Sequence, residues 1–173
     1  YSFIMITALI VIAIIIWVEF YALISKIIKK NKFKDKLLRF FYKAISLLYL
    51  SSIVFLIFTI ESFYPNQKIY LLYVILVAIL SDIGGLIIGK TFKGKKLTKI
   101  SPNKTISGSV GSFFFSIILI PFFYKDLIEF NFLIMIIITL TISFISQAGD
   151  LFISYMKRKA KVKDTSDMLP GHG

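Results

Sequence analysis

The chain has 173 residues, of which 57% are apolar and only 17% charged, with a formal net charge of +12, no cysteine and a single histidine. A water-soluble globular domain is excluded by that balance, and disulfides, thiolate metal sites and a histidine-cluster metal centre by the residue counts. What remains is an integral membrane protein whose apolar runs approach the roughly 20 residues that carry a helix across a hydrocarbon core of about 30 Å.

Five spans are expected, at about 3–24, 44–60, 69–88, 110–123 and 132–153, followed by a basic tail over 154–173. These runs lack the two-residue alternation of a barrel strand, and backbone amides in lipid must be satisfied within their own segment, so each is expected to be helical. The predicted fold class is therefore an all-α, polytopic helical bundle. It forms one multispan membrane domain over residues 1–173, with no soluble domain, repeat or low-complexity linker. A start at Tyr1 and an end inside a Gly/His turn give the expectation that both ends are cut from a longer protein.

After the first span comes a stretch carrying Lys26, Lys29, Lys30, Lys32, Lys34, Lys36, Arg39 and Lys43. The loop after the third span carries Lys90, Lys93, Lys95, Lys96, Lys99 and Lys104, and the tail carries Lys157, Arg158, Lys159, Lys161 and Lys163. Only Lys68 and Lys125 fall on the opposite side. A split of 19 to 2 assigns the basic side to the cytoplasm and places the protein in the cytoplasmic (inner) membrane. Much of this charge, above all in the first stretch, is accounted for by topology and by attraction to anionic headgroups.

Three carboxylates lie within apolar spans: Glu19, Asp82 and Asp150. A carboxylate at membrane depth is costly and points to function. From the helix rise all three sit in the cytoplasmic half, about 20 to 27 Å from the outer end, where they could line one cavity. A snorkelling or lysine-paired carboxylate is the plainer reading for Glu19. In the third span Gly84, Gly85 and Gly89 follow Asp82, and close helix packing is their ordinary role. The loop I-S-P-N-K-T-I-S-G-S then brings Lys104, Thr105, Ser107 and Gly108 to the N-terminus of the fourth span. Exposed N–H groups and the helix dipole favour an anion there, with capping by Ser107 or Ser109 as the competing use. There is no G-x-x-x-x-G-K-[ST], which removes a P-loop ATPase.

The last span is the most informative. Gln147, Asp150, Ser154, Lys157 and Lys161 recur at spacings of three, four, three and four, so an amide, a carboxylate, a hydroxyl and two ammonium groups share one expected helix face. Oxygen ligands suit Mg²⁺, which typically takes one or two carboxylates plus substrate phosphates, while Lys and Arg neutralise phosphate charge. The Pro170-Gly171-His172-Gly173 turn could aim N–H groups or the imidazole at the same place. These features point to polyphosphate chemistry at a membrane surface.

The run Ser154-x-Met156-Lys157-Arg158, four residues, Lys163-Asp164, Pro170-x-His172-Gly173 resembles the signature of the phosphatidate cytidylyltransferase (CDP-diacylglycerol synthase) family. Gln147-x-Gly149-Asp150-Leu151, Ser101-Pro102-x-Lys104-Thr105-x-x-Gly108 and Asp82 with Gly89-Lys90 resemble it as well, so the likeness spans about half the chain. Two departures are visible: Ser107 stands where the family usually carries Glu, and the G-x-x-D-R-x-D that ends the signature lies past Gly173. The resemblance implies transfer of CMP from CTP to phosphatidic acid, giving CDP-diacylglycerol and pyrophosphate, with Mg²⁺ and room for a second cation. It implies Asp150 and Asp164 as metal ligands, Asp164 alternatively orienting Lys163, and Lys157, Arg158 and Lys163 as phosphate-binding groups of the catalytic set. Lys104, Thr105, Ser154, His172 and Asp82 are the implied substrate contacts. CTP, phosphatidic acid and the bilayer are the expected partners; a homodimer is compatible and nucleic acid is not expected. Because the signature's last acid falls beyond Gly173, this length of chain is expected to be inactive by itself. Two other classes fit the residues: a CTP-dependent polyprenol or dolichol kinase, and a secondary transporter using the three buried acids.

Overall fold

The structure, a computed structural model, describes residues 2–29, 32–127 and 131–162. It is all-α: α1 (Ser2–Ile27), α2 (Phe33–Phe63), α3 (Lys68–Phe92), α4 (Ile106–Ile117), α5 (Ile120–Phe123) and α6 (Phe132–Lys159). Five segments are long and apolar enough to cross a membrane, the fourth being Ile106–Phe123, which joins α4 to α5. The expected polytopic α-helical membrane fold is the observed one. Among the described residues the sole extended pairing is an isolated antiparallel bridge between Lys96 and Thr105.

Helix boundaries depart from the sequence expectation in three places. α2 begins at Phe33 rather than near Ala44, because Lys, Arg and Leu are good helix formers and long basic stems lie along apolar surface while their heads reach water. α4 begins four residues before Val110, capped by Thr105, whose Oγ1 accepts the Gly108 N–H. The expected span over 110–123 breaks between α4 and α5, where Leu119 N–H bonds to Ser116 O in a tighter turn and Pro121 opens α5 without an N–H of its own.

The chain divides into two compact units, Tyr1–Pro65 with Met156–Gly173, and Asn66–Tyr155. In the first, α1 and α2 form an antiparallel hairpin. Trp17 donates its indole N–H to Lys43 O at 3.2 Å, and the Lys43 ammonium lies 3.1 Å from the centre of the Tyr21 ring. Glu19 belongs to this unit.

In the second unit α3 and α4 pack through glycines. A Cβ added to Gly84 would meet Gly111 O at 2.6 Å, and one added to Gly108 would meet Gly85 O at 2.8 Å. Small residues let helix backbones approach closely where lipid supplies no hydrophobic drive between helices. Below this contact lies an apolar core of Tyr73, Val77, Leu119, Ile120, Leu127 and Met135. α6 faces α3 with a residue every four positions, Met135, Thr139 and Ser143, all buried. Thr139 Oγ1 bonds to Tyr73 OH at 2.5 Å and Ser143 Oγ to Ser81 Oγ at 2.8 Å. Gln147 continues the row, donating from Nε2 to Ser143 Oγ at 3.3 Å and accepting from Ser109 Oγ at 2.6 Å on Oε1. Three helices are thus joined by one hydrogen-bonded chain, buried at Ser81 and Ser143 and half-buried at Gln147 and Ser109.

Candidate functional site

The polar row on α6 ends at a cavity of about 620 Å³ inside the second unit. α3 supplies Asp82, Gly85 and Gly89 at spacings of three and four, with Leu86 and Lys90 following Asp82 at spacings of four, so these residues occupy one side of the helix. The loop before α4 supplies Leu97, Asn103, Lys104 and Thr105, α4 supplies Gly108, Ser109 and Ser112, and α6 supplies Gln147 and Asp150. The volume is that of a small-molecule site.

Lys104 Nζ is ion-paired with Asp150 Oδ2, and Asp82 lies within electrostatic reach of both. Two carboxylates and an ammonium therefore converge on one cavity. Gln147 has its amide orientation set by Ser109 and Ser143, so its second N–H remains to be offered to the cavity it lines.

The loop that delivers Lys104 is built by local bonds. Leu97 N–H donates to Lys104 O at 2.7 Å, Ile106 N–H to Lys95 O at 3.0 Å, and Ser101 N–H to Thr98 Oγ1 at 3.2 Å. The turn out of α3 uses Lys93 and Gly94, both at positive φ (50° and 111°), and Ser107 Oγ donates to Lys93 O and pairs with Thr105 Oγ1. Ser107, which stands where the family pattern has Glu, thus fastens this turn.

One sequence expectation is corrected here. The N-terminus of the fourth span was to offer N–H groups to an anion or to be capped by Ser107 or Ser109; in the structure Ile106 N–H bonds to Lys95 O, Gly108 N–H to Thr105 Oγ1 and Ser109 N–H to Thr105 O. Thr105, and neither Ser107 nor Ser109, is the cap. The group this end turns toward Asp150 is the Lys104 side chain. The shared α6 face is also shorter than its spacing implied. The helix ends at Lys159, Val162 N–H bonds back to Lys157 O, and Lys161 takes a left-handed φ of 57°. Lys161 therefore leaves the face, and the final turn is closed in the manner of a Schellman cap.

Of the residues singled out from the sequence, Asp82, Lys104, Thr105 and Asp150 meet in the cavity. Ser154 is half-buried, four residues beyond Asp150 on α6 and outside the lining. Lys157, half-buried, and Arg158, exposed, lie in the last turn of α6. Lys163, Asp164 and His172 fall outside the described residues. Glu19, on α1, is not part of the lining. Ser109 and Ser112 are lining residues without a predicted role in the site; the signal was the run of small residues at 108, 109, 111 and 112, which marks close approach.

The donors suit Mg²⁺: they are oxygens, and Asp82 with Asp150 gives the one or two carboxylates that this ion takes beside waters and substrate phosphates. Among the described residues no group of three His, Cys, Asp or Glu is placed to hold a metal ion.

Fold and site together define a polytopic α-helical membrane protein with a charged cavity where a membrane helix meets a basic loop. The chain belongs to the cytidylyltransferase family, whose sequence profile matches residues 1–173. It is similar to the phosphatidate cytidylyltransferase of Rickettsia typhi, 40% identical over 116 residues, covering 62% of this chain and 50% of the relative. The protein of the same name from Staphylococcus aureus (strain COL) is 42% identical over 107 residues, covering 60% and 41%, and that from Rickettsia prowazekii 44% over 100 residues, covering 53% and 44%. The matched region thus spans half or less of the length of these curated relatives. No solved structure matches at a significant level.

Proposed function

We propose that this chain carries the nucleotide- and lipid-phosphate-binding part of a CTP:phosphatidate cytidylyltransferase of the cytoplasmic membrane, with its cavity open to the cytoplasm. The observation that carries this reading is the Lys104–Asp150 pair on a cavity that also holds Asp82, in a chain of the cytidylyltransferase family. The 19-to-2 division of basic residues supports the orientation.

In the reaction an oxygen of the lipid phosphate attacks the α-phosphorus of CTP. The new P–O bond forms as the bond to the β-phosphate oxygen breaks, and pyrophosphate leaves with that electron pair. No protein nucleophile is needed, so catalysis rests on positioning and on offsetting the charge of two anions. Asp150 and Asp82 would hold the Mg²⁺, which supplies charge neutralisation and polarisation of phosphate oxygens. Lys104, paired with Asp150 in this structure, would be the mobile cation, free to turn to the phosphates whenever Asp150 is engaged elsewhere. Gln147 presents its remaining N–H to the bound ligand. Gly85, Gly89 and Gly108 let α3 and α4 approach closely enough for their polar groups to share one wall. Following the family signature, Lys157, Arg158 and Lys163 bind phosphate, Asp164 ligates a metal or orients Lys163, and Ser154, Thr105 and His172 contact substrate.

The test is product analysis. The full-length protein in mixed micelles, given labelled CTP and phosphatidic acid, is expected to release pyrophosphate and form CDP-diacylglycerol in a Mg²⁺-dependent manner. Formation of CDP and a phosphorylated lipid alcohol would instead establish a lipid kinase, and neither product would overturn the assignment.

A further inference from the structure

The α1–α2 hairpin contains a second cavity that the reaction does not use. It measures about 390 Å³ and lies along the helix pair, from Ile6 to Trp17 on α1 and from Leu47 to Phe58 on α2. Its polar groups are already satisfied: Ser51 Oγ donates to Leu47 O and Trp17 Nε1 to Lys43 O. The groove thus offers hydrocarbon surface alone. The eleven helical rises from Ile6 to Trp17 give a length of about 16 Å, which is about one leaflet of a 30 Å core. At the Trp17 end the character changes within one turn. Lys43 sits over the Tyr21 ring at 3.1 Å, and Arg39, one turn earlier on α2, acts electrostatically on the same tyrosine. A Trp–Tyr pair with two cations is what the interface level of a bilayer favours.

We propose that this groove is a binding site for one anionic phospholipid of the basic-side leaflet, its acyl chain laid between α1 and α2 and its phosphate held by Lys43 and Arg39. Three observations select a lipid as the occupant: a groove one leaflet deep, no unsatisfied donor along it, and a net positive charge at its interfacial end, where Lys43 and Arg39 outnumber Glu19. The inference stands apart from the proposed reaction.

The experiment uses the full-length protein in nanodiscs containing phosphatidylglycerol with a photoreactive diazirine on its acyl chain, and phosphatidylcholine carrying the same group. Peptide mapping is expected to place the phosphatidylglycerol crosslinks on residues 6–17 and 47–58, above the level at outward-facing Ile12 and Ile16. Each near-surface cation contributes about fivefold, so Arg39→Gln with Lys43→Gln is expected to cut groove labelling by about 25-fold and to bring it to the phosphatidylcholine level. Ala13→Phe, which fills the groove, is expected to abolish it. Should Ala13→Phe fail to fold, the two exposed-end substitutions still decide the matter. Equal labelling by both lipids, or labelling unchanged in the double variant, would overturn the proposal. So would disulfide-linked dimers of the Ala13→Cys variant, since the native chain has no cysteine and such dimers would show a second copy in the groove.

Discussion

Replacing Lys104 by Gln separates a structural role from a catalytic one, because the two predict effects of different size and sign. The ion pair with Asp150 is open to solvent, with side-chain exposures of 28% for Lys104 and 56% for Asp150. Such a pair contributes at most about 1 kcal/mol to folding, so the thermal midpoint of Lys104→Gln in detergent is expected to stay close to wild type. If Lys104 instead meets phosphate charge that develops during transfer, its loss removes about 3 to 4 kcal/mol of transition-state stabilisation, a factor of several hundred in rate. The metal requirement moves the opposite way. Without its internal cation Asp150 is free to take an external one, and the Mg²⁺ concentration for half-maximal activity is expected to fall by up to about fivefold, the competition worth about 1 kcal/mol. The assay is CDP-lipid formation across a Mg²⁺ titration, with Mn²⁺ binding followed independently by electron paramagnetic resonance. Turnover within threefold of wild type, or a raised metal requirement, would refute this account of Lys104.

Asp150→Asn removes the charge while preserving size, and is expected to abolish turnover and weaken Mn²⁺ binding while leaving helicity intact; Glu19→Gln, outside the cavity, should be much milder, and near-normal turnover in Asp150→Asn would remove it from the centre. Gly111→Ala would force its Cβ into Ile88 and to 2.8 Å from Gly84 O, an overpacking worth about 1 to 3 kcal/mol that should lower the melting midpoint. Gly149→Ala meets nothing within 4 Å and is expected to leave the midpoint unchanged or raise it, by up to about 1 kcal/mol of helix propensity; a fall would show that α6 packs differently. Single cysteines at Ser25 and Ser101 are expected to resist an impermeant thiol reagent in intact cells while one at Ser62 reacts, and the reverse pattern would invert the topology.

The helices were legible because each apolar run stands between charged segments, and lipid leaves the backbone no alternative to helix. Their ends were less so. Residues 33–43 read as a cationic connection because charge was taken as a boundary, although lysine and arginine propagate a helix once it has left the hydrocarbon. Ile106 to Ser109 read as loop because Ser and Gly are weak helix formers; the α3 contact, invisible in one-dimensional order, holds them helical. Asp82 and Asp150 stood out because a charge is costly at membrane depth, an argument that singled out Glu19 equally although it is not in the cavity lining. That the α4 amides are already engaged could not be read, since each partner, Lys95 O or Thr105 Oγ1, depends on how the loop folds back. Lys161 lost its place on the α6 face for a similar reason: spacing shows where a helix would put a residue, and a cap determines whether the helix reaches it.

The hydrogen-bonded chain Ser81–Ser143–Gln147–Ser109 has a mechanical consequence. Its members sit at fixed heights on three helices, so sliding α6 along its axis by even one residue, about 1.5 Å, would break the links at Gln147 and strip the buried Ser81 and Ser143 hydroxyls of each other where no water replaces them. A bilayer that thickens or thins with temperature or lipid composition exerts such a force. With sliding blocked, the second unit can accommodate it only by tilting as a body. The distance between Asp82 and Asp150 is thereby insulated from the thickness of the membrane around it.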